Sequence, residues 1–247
     1  MIFRITFLLI IISSVKGYGQ SAETIRSGRP GQSIGPFSIG QSIFQVQSGF
    51  FFNQIGSSSL GRDVVGNNSV LRFGLSELIE ISAVFDYSKS YIEDPRLPDP
   101  SNTSLQLGGR YHLLDQQGIV PNLALQSRVG FYNEGDFELS TVSIIATSHS
   151  FGDFYTFFSN WKMITREGDD AQYAYTANLS RTLSDKVGVF AEIYGSLSDF
   201  EVNYDAGFSY LVNDDLQLDL SAGIQDGNLT DDWFIDLGVS WRLMPKD

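Results

Sequence analysis

The sequence predicts an all-β protein, a transmembrane antiparallel up-and-down β-barrel of the outer-membrane type with about 12 strands. Three observations carry this prediction. Polar and apolar residues alternate over most of the chain past residue 40. Most alternating segments have about the 9–11 residues that a tilted strand needs to cross a membrane. Tight turns and longer connections follow one another along the chain, as in barrels with short periplasmic turns.

The N-terminus has the pattern of a secretory signal over residues 1–19. Arg4 provides a positive charge, residues 5–12 form a short apolar run, and small residues lead to Gly19. The apolar run is too short to span a bilayer as a helix. We therefore predict a signal peptide at 1–19, an N-terminal periplasmic segment at 20–40 and an outer-membrane barrel at 41–247. The segment 20–40 either remains a tail or folds into the barrel.

The alternation assigns each strand an apolar face and a polar face. Residues 78–87 illustrate it, with Ile79, Ile81 and Phe85 on one face and Glu80 and Asp86 on the other. The predicted strands are 41–53, 68–75, 78–87, 103–113, 122–132, 138–148, 154–165, 171–181, 187–196, 201–211, 216–224 and 233–243.

The connections between these strands differ at the two ends of the predicted barrel. One end has tight turns near 76–77, 150–153, 184–185 and 213–214, together with the longer connection 114–121. The other end has long segments rich in Gly, Pro, Asp, Asn and Ser, at 54–67 and 88–102. With an even number of strands, both termini fall on the short-turn, periplasmic side.

A sheet in hydrocarbon must close on itself because its edge amides would otherwise lack partners. Its apolar faces then point to lipid, and aromatic residues near strand ends form girdles. The candidates for the girdles are Tyr87, Tyr111, Tyr132, Tyr155, Trp161, Tyr173, Tyr210, Trp233 and Trp241. The alternative is a secreted soluble β-sandwich or lipocalin-like barrel, in which the apolar faces form the core.

The polar faces of the strands provide the candidate functional residues, which we expect to face the lumen. These lumen-facing candidates are Arg72, Glu80, Asp86, Arg110, Arg128, Asn160, Lys162, Glu192, Asp205, Asp219, Asp236 and Arg242.

Arg72 and Glu80 lie symmetrically about a predicted turn at Ser76, so they can pair across neighbouring strands. Such a pair is either a structural salt bridge or part of a charged constriction. The acidic candidates on the last four strands either favour cations or pair with basic residues across the lumen. Small residues beside them leave space, so we predict a small, cation-preferring conductance.

Composition weighs against several other classes of protein. The chain has no cysteine and only two histidines, His112 and His149, and its formal net charge is −13. So acidic a surface repels the phosphate backbones of nucleic acids, and we predict no nucleic-acid partner. His112 has no evident nucleophile nearby in sequence, and His149 lies between Ser148 and Ser150 at a predicted periplasmic turn, where serines are common. We therefore predict no enzyme, no catalytic residues and no cofactor. Acidic residues in 225–232 suggest a calcium loop only weakly, and solvated acidity is the simpler interpretation.

Several segments resemble an outer-membrane family labelled putative MetA-pathway of phenol degradation. The opening residues 26–40 and 43–52 contain its Arg-Pro step at Arg29-Pro30 and its FQ-x-x-x-GF strand. Residues 71–81 (LRFGLSELIEI) match its Leu-Arg-Tyr-Gly-Leu pattern, with Phe73 in place of Tyr. Residues 108–121, 189–195 and 205–223 also resemble it, whereas 133–170 show no clear correspondence beyond Asn160.

The resemblance implies an outer-membrane barrel that passes small hydrophobic or aromatic compounds, and it brings no catalytic residues. We therefore predict a channel or transporter for small solutes in the bacterial outer membrane. Its expected partners are outer-membrane lipid, a small solute and the barrel-assembly machinery. The alternatives are a non-conducting structural or surface-binding barrel and an outer-membrane lipid-modifying enzyme.

Overall fold

The computed structural model describes residues 22–56, 61–92, 98–133, 137–225 and 232–245. They form twelve strands, which we number in chain order. These are β1 (Phe44–Ile55), β2 (Arg62–Gly74), β3 (Ile79–Ile92), β4 (Ser101–Leu114), β5 (Asn122–Asn133), β6 (Phe137–Phe151), β7 (Tyr155–Arg166), β8 (Gln172–Ser184), β9 (Val187–Ser196), β10 (Asn203–Asn213), β11 (Leu216–Ile224) and β12 (Trp233–Leu243).

Each strand pairs antiparallel with its neighbours in sequence, and β1 also pairs with β12. The closing seam runs in continuous register from Phe44 opposite Leu243 to Gln54 opposite Trp233. Closure leaves no sheet edge, so ladder hydrogen bonds can satisfy the backbone groups of every strand. Within the described residues, no helix is long and apolar enough to span a membrane. The predicted all-β, up-and-down, 12-stranded barrel is confirmed.

The outer surface of the barrel is apolar. Phe50 is 68% exposed, Leu237 58% and Trp161 55%, and all three lie on outward positions of their strands. The inward positions carry polar residues instead, among them Gln45, Arg72 and Asn160, which are buried. A soluble sandwich or lipocalin-like barrel would hide the apolar face, so this arrangement excludes both. Tyr132 is an exception to the predicted girdle, because it lies on the inward face of β5, with Arg166 5.6 Å from its ring centre.

Two of the predicted extracellular loops are shorter than the sequence indicated. The hairpin β1–β2 continues to Ile55 and Arg62, and the hairpin β3–β4 continues to Ile92 and Ser101. The expected loops at 54–67 and 88–102 were therefore too long. Their polar residues obscure the alternation, because a strand needs no apolar face where it extends beyond the hydrocarbon.

Residues 22–43 lie inside the barrel, and we call this segment the lumen loop. It enters beside the turn between β10 and β11, crosses the lumen, and returns along β2, β3 and β4 to the start of β1. Both of its ends are at the short-turn end of the barrel. For residues 22–40 the structure therefore has the second of the two sequence alternatives, a segment folded into the barrel. The predicted signal at 1–19 lies outside the described residues.

Candidate functional site

The first leg of the lumen loop is fixed to the rim of the barrel. The Ile25 amide donates to the Asp214 carbonyl at 2.7 Å, in the turn between β10 and β11. Arg242, near the end of β12, donates to the carbonyls of Ala22 at 2.7 Å and Glu23 at 3.0 Å. The guanidinium of Arg242 also forms a 2.7 Å ion pair with Asp215. The predicted lumen residue Arg242 therefore anchors the loop.

Arg29 carries the loop's positive charge into the acidic wall. Its Nη2 atom lies 2.7 Å from Asp236 Oδ1 and 3.2 Å from Asp219 Oδ1. Gly49 and Gly238 are register partners across the β1–β12 seam, and a Cβ atom at either position would overlap the guanidinium. Their lack of side chains makes room for Arg29, which contacts two of the four predicted acidic residues and offsets part of their negative charge.

The apex of the loop is held by polar side chains from β7, β8 and β9. Glu192 accepts hydrogen bonds from the Gln32 amide at 2.6 Å and from the Ser33 hydroxyl. The Ser33 hydroxyl also lies 2.7 Å from that of Thr176. Asn160, which is fully buried, accepts from the Ile34 amide at 2.7 Å and donates to the Ile34 carbonyl at 2.9 Å. One amide side chain thus pairs with both backbone groups of a single loop residue.

The returning leg lies on a buried cluster of charges from β2, β3 and β4. Arg72 forms a two-pronged ion pair with Glu80, with Nε–Oε1 at 2.9 Å and Nη2–Oε2 at 2.7 Å. Arg110 approaches the same carboxylate at 3.6 Å. Both guanidiniums donate to the Phe37 carbonyl, at 3.2 and 2.9 Å, and Glu80 accepts from the Ile39 amide at 3.1 Å. The Arg72–Glu80 pair expected from the sequence exists, and it also binds the loop.

The other predicted lumen residues lie on inward positions but make fewer contacts. Asp86 accepts from Ser104 at 2.8 Å and from the amide of Asn68. Lys162 donates to the Gln32 carbonyl at 3.4 Å. In the described part of the chain, Arg128 Nε and both carboxylate oxygens of Asp205 are buried without a hydrogen-bond partner. Asp205 lies directly opposite Glu192 in the β9–β10 ladder.

Part of the space expected beside the acidic wall is filled, although Ser209 of that wall lines an open cavity. Added Cβ atoms would meet the Phe190 ring at Gly207 and the Phe234 ring at Gly223. Ser240 lies 2.7 Å from Ser27 of the loop, hydroxyl to hydroxyl. Phe190 and Phe234 are the register partners of Gly207 and Gly223 on the neighbouring strands, whereas Ser27 comes from the lumen loop. The sequence pattern located the small residues but could not identify the contact from the loop, because the loop has no strand alternation.

A cavity of about 480 Å³ lies between the lumen loop and the wall formed by β7 to β11. Arg26, Arg72, Arg110, Phe37, Phe158 and Phe190 are among the residues that line it. Phe154, in the turn before β7, is also among the lining residues, so the cavity faces the short-turn end of the barrel. Burial lowers the pKa of Arg26, and the negative charge of Glu77 acts in the opposite direction.

The sequence did not identify the loop residues as functional candidates. Arg26, Arg29 and Ser33 lie in a segment without strand alternation, so no face could be assigned to them. The one signal was their composition, since Arg26 and Arg29 are isolated cations in a stretch rich in Gly and Ser. A net acidic barrel would attract such cations.

The two histidines lie on β4 and β6, and each contacts neighbouring groups of the barrel. His112 lies 3.1 Å from the Pro36 carbonyl through Nδ1 and 2.9 Å from Asp115 through Nε2. His149, on the outward face of β6, lies 3.5 Å from Gln116. Among the described residues, no group of three His, Cys, Asp or Glu side chains is arranged to hold a metal. Most of the weakly suggested calcium loop at 225–232 lies outside the described residues.

The barrel is similar to solved outer-membrane proteins. The COG4313 outer membrane channel from Pseudomonas putida F1 has a TM-score of 0.63 and 12% identity, over 87% of this chain and 99% of that one. KdgM porin has a TM-score of 0.54 and 8% identity, over 80% of this chain and 99% of that one. The translocator domain of autotransporter NalP from Neisseria meningitidis has a TM-score of 0.55 and 12% identity, over 83% and 89%.

The closed sheet, the apolar exterior and this likeness agree on one fold. The chain has the fold of the outer-membrane β-barrels. No family model and no curated protein sequence matches it. Identities this low show a shared fold, and a channel, a porin and a translocator domain share that fold. The function of this barrel must therefore be argued from its own lumen.

Proposed function

We propose that this protein is a channel for small solutes, closed by the lumen loop and opened when that loop leaves the lumen. The carrying observation is that one chain segment, residues 22–43, bonds to inward side chains from at least seven of the twelve strands. A barrel closed permanently by wall side chains would have no need of such a segment.

The chemistry of these contacts favours a removable closure. Between Arg26 and Ser38 the loop is held mainly by hydrogen bonds and by the ion pair of Arg29 with Asp219 and Asp236. Its buried isoleucines, Ile25, Ile39 and Ile43, lie towards its two ends. When the loop leaves, water can replace these partners one for one, so the net free energy lost per neutral hydrogen bond is only about 0.5–1.5 kcal/mol. An apolar plug would instead expose its surface at every opening.

The solute class that we propose is small hydrophobic or aromatic compounds. The resemblance of residues 26–40 and 71–81 to the MetA-pathway family supports it. The rings of Phe37, Phe158 and Phe190 along the cavity also support it, since ligand cavities of roughly 300–1,000 Å³ commonly combine apolar walls with a few polar groups. We propose no catalytic role for the chain, because His112 is held by Asp115 and a backbone carbonyl.

The experiment is single-channel recording in planar bilayers with a variant that lacks residues 27–38. The ends of this deletion lie close together, since the Arg72 guanidinium donates both to the Arg26 carbonyl at 2.8 Å and to the Phe37 carbonyl at 3.2 Å. We expect a larger unit conductance than that of the full chain. The reversal potential should also favour cations more strongly, because the deletion removes Arg29 from Asp219 and Asp236.

A matched control shortens the exposed turn at Gly118 and Ile119, where Ile119 is 94% exposed. This variant should conduct like the full chain. A deletion variant that folds and conducts no more than the full chain would refute the closure by the loop. A full chain and a deletion variant that both fail to conduct would favour the non-conducting structural barrel.

A further inference from the structure

The cavity beneath the lumen loop has a one-sided distribution of charge. Arg26, Arg29, Arg72 and Arg110 are among the residues that line it, and none of its lining residues in the described chain is acidic. Arg181 also borders it, but the guanidinium of Arg181 lies on the outward face of β8, 5.2 Å from the centre of the Tyr155 ring. The barrel as a whole is strongly acidic, with a net charge of −13. A basic cavity in an acidic protein is therefore a local feature that the composition does not explain.

The arginines contribute to this field in different ways. Arg72 uses all three of its guanidinium nitrogens on Glu80 and on backbone carbonyls. Arg110 likewise bonds to Gln126 and to the Phe37 carbonyl. Every nitrogen of these two guanidiniums is thus already hydrogen-bonded, and the two residues mainly supply positive charge. Arg26 is different, because only its Nη1 has a hydrogen bond, to the Ser38 carbonyl, so Nε and Nη2 remain available within the described structure.

The nearby carboxylates do not cancel the charge at the Arg26 end. Glu80 lies between Arg72 and Arg110, and one carboxylate is thus shared by two guanidiniums. Asp219 and Asp236 both contact Arg29, farther along the loop. Glu77 and Asp115 act on Arg26 through their charge, while Glu77 accepts a hydrogen bond from the Gln41 amide at 3.2 Å and Asp115 lies 2.9 Å from His112. The Arg26 end therefore keeps an excess of positive charge.

Apolar rings border the same space. The Arg26 guanidinium lies 4.8 Å from the centre of the Phe37 ring, so the ring already covers one flat face of the guanidinium. Phe158 of β7 and Phe190 of β9 line the far wall of the cavity. An anionic head at the free nitrogens of Arg26 would thus leave an apolar body against these rings.

We infer that this cavity binds a small organic anion, a carboxylate with an apolar or aromatic body, with Arg26 as its anion-binding residue. A guanidinium is suited to this because its fork of donors matches a carboxylate. A volume of about 480 Å³ accommodates a solute of this size. The inference rests on the proposed channel function, since it specifies the class of solute that occupies the lumen.

The test is calorimetric titration of the purified, detergent-folded protein with three probes that share one ring. These are benzoate, benzyl alcohol and benzylammonium. We expect benzoate to bind about tenfold more tightly than benzyl alcohol, as a charge-assisted contact would give, and benzylammonium to bind most weakly. The variant Arg26→Gln should lose the preference for benzoate.

The matched control is Arg62→Gln, which removes the same charge from an exposed residue at the opposite end of the barrel. It should bind benzoate as the natural chain does. If Arg26→Gln does not fold, Phe190→Leu offers a second test, because it should weaken benzoate binding more than acetate binding. Equal affinity for the three probes, or an Arg26→Gln variant that keeps the preference, would overturn the inference.

Failure of this inference and failure of the channel are distinguishable. A barrel that conducts but shows no preference for benzoate keeps the channel and loses the anion site. A barrel that prefers benzoate in an Arg26-dependent way but never conducts keeps the anion site and loses the channel.

Discussion

Glu80 is the residue on which most of the buried charge near the returning leg depends. Its side chain is 1% exposed and lies between Arg72 at 2.7 Å and Arg110 at 3.6 Å. Breaking a buried ion pair by removing one partner typically costs about 3–5 kcal/mol, because the remaining charge has no compensation. The two partners are not equivalent here, since Glu80 serves two cations and Arg72 serves one anion.

We therefore expect Glu80→Ala to lower the free energy of unfolding more than Arg72→Ala. The double replacement should cost less than the sum of the two, because each single variant already abolishes the pair. Urea unfolding in lipid vesicles measures these differences. Glu80→Ala combined with Arg62→Ala is the control and should be additive, since Arg62 lies at the far end of β2. Strict additivity of Arg72→Ala and Glu80→Ala would contradict the pairing.

A second prediction concerns Gly74, at the periplasmic end of β2. A Cβ atom there would overlap the Gly40 carbonyl oxygen, so the returning leg requires glycine at this position. Gly74→Ala should destabilise the barrel by about 1–3 kcal/mol through overpacking. Gly35→Ala, in the lumen loop itself, is the control, because its Cβ would meet the Phe158 ring at 3.6 Å, an ordinary van der Waals distance. Equal unfolding midpoints for the two variants would contradict the close approach.

At the scale of elements, the strands that cross hydrocarbon were the predictable ones. The bounds 187–196, 216–224 and 233–243 expected from the sequence agree with β9, β11 and β12. Their alternation is sharp because one face meets lipid and the other meets polar groups. The extracellular ends of β2 and β3, residues 62–67 and 88–92, were missed, because residues such as Gly66, Asn67 and Ser88 give no such contrast.

Amide hydrogen exchange tests that extension of β2. Residues 62–67 pair with both β1 and β3, so their amides should exchange slowly. The amides of Gly118 and Ile119, in an exposed turn, serve as the fast reference. If the amides of 62–67 exchanged as fast as those of that turn, β2 would not extend this far, and the long loop expected from the sequence would be correct.

The lumen loop was beyond sequence reasoning for a physical reason. Its contacts join residues far apart in the chain, such as Arg29 with Asp236 and Ser33 with Glu192. Contacts of this kind produce no periodic pattern in the sequence. The candidate residues on the wall could be identified because strand alternation fixes a side, but what they bind depends on a segment that has no alternation.

At the scale of the whole molecule, the apolar exterior determines which surroundings the protein requires. A closed sheet with Phe50, Trp161 and Leu237 more than half exposed requires lipid or detergent around it. The protein should therefore fractionate with the outer membrane and migrate differently on a detergent gel before and after heating. Recovery as a soluble monomer without detergent would contradict this.

The most direct test of the central claim is to fix the lumen loop in place and measure conductance. The chain has no cysteine, and the Ser27 and Ser240 hydroxyls lie 2.7 Å apart, so Ser27→Cys with Ser240→Cys should form a disulfide between loop and wall. A control disulfide at Thr147→Cys with Ser159→Cys joins two outward-facing residues, 2.8 Å apart between their hydroxyls, away from the loop. We predict that the oxidised loop disulfide suppresses single-channel openings, that a reductant restores them, and that the control conducts alike in both states. The same conductance from the oxidised and reduced loop variants would contradict the claim that the loop closes this channel.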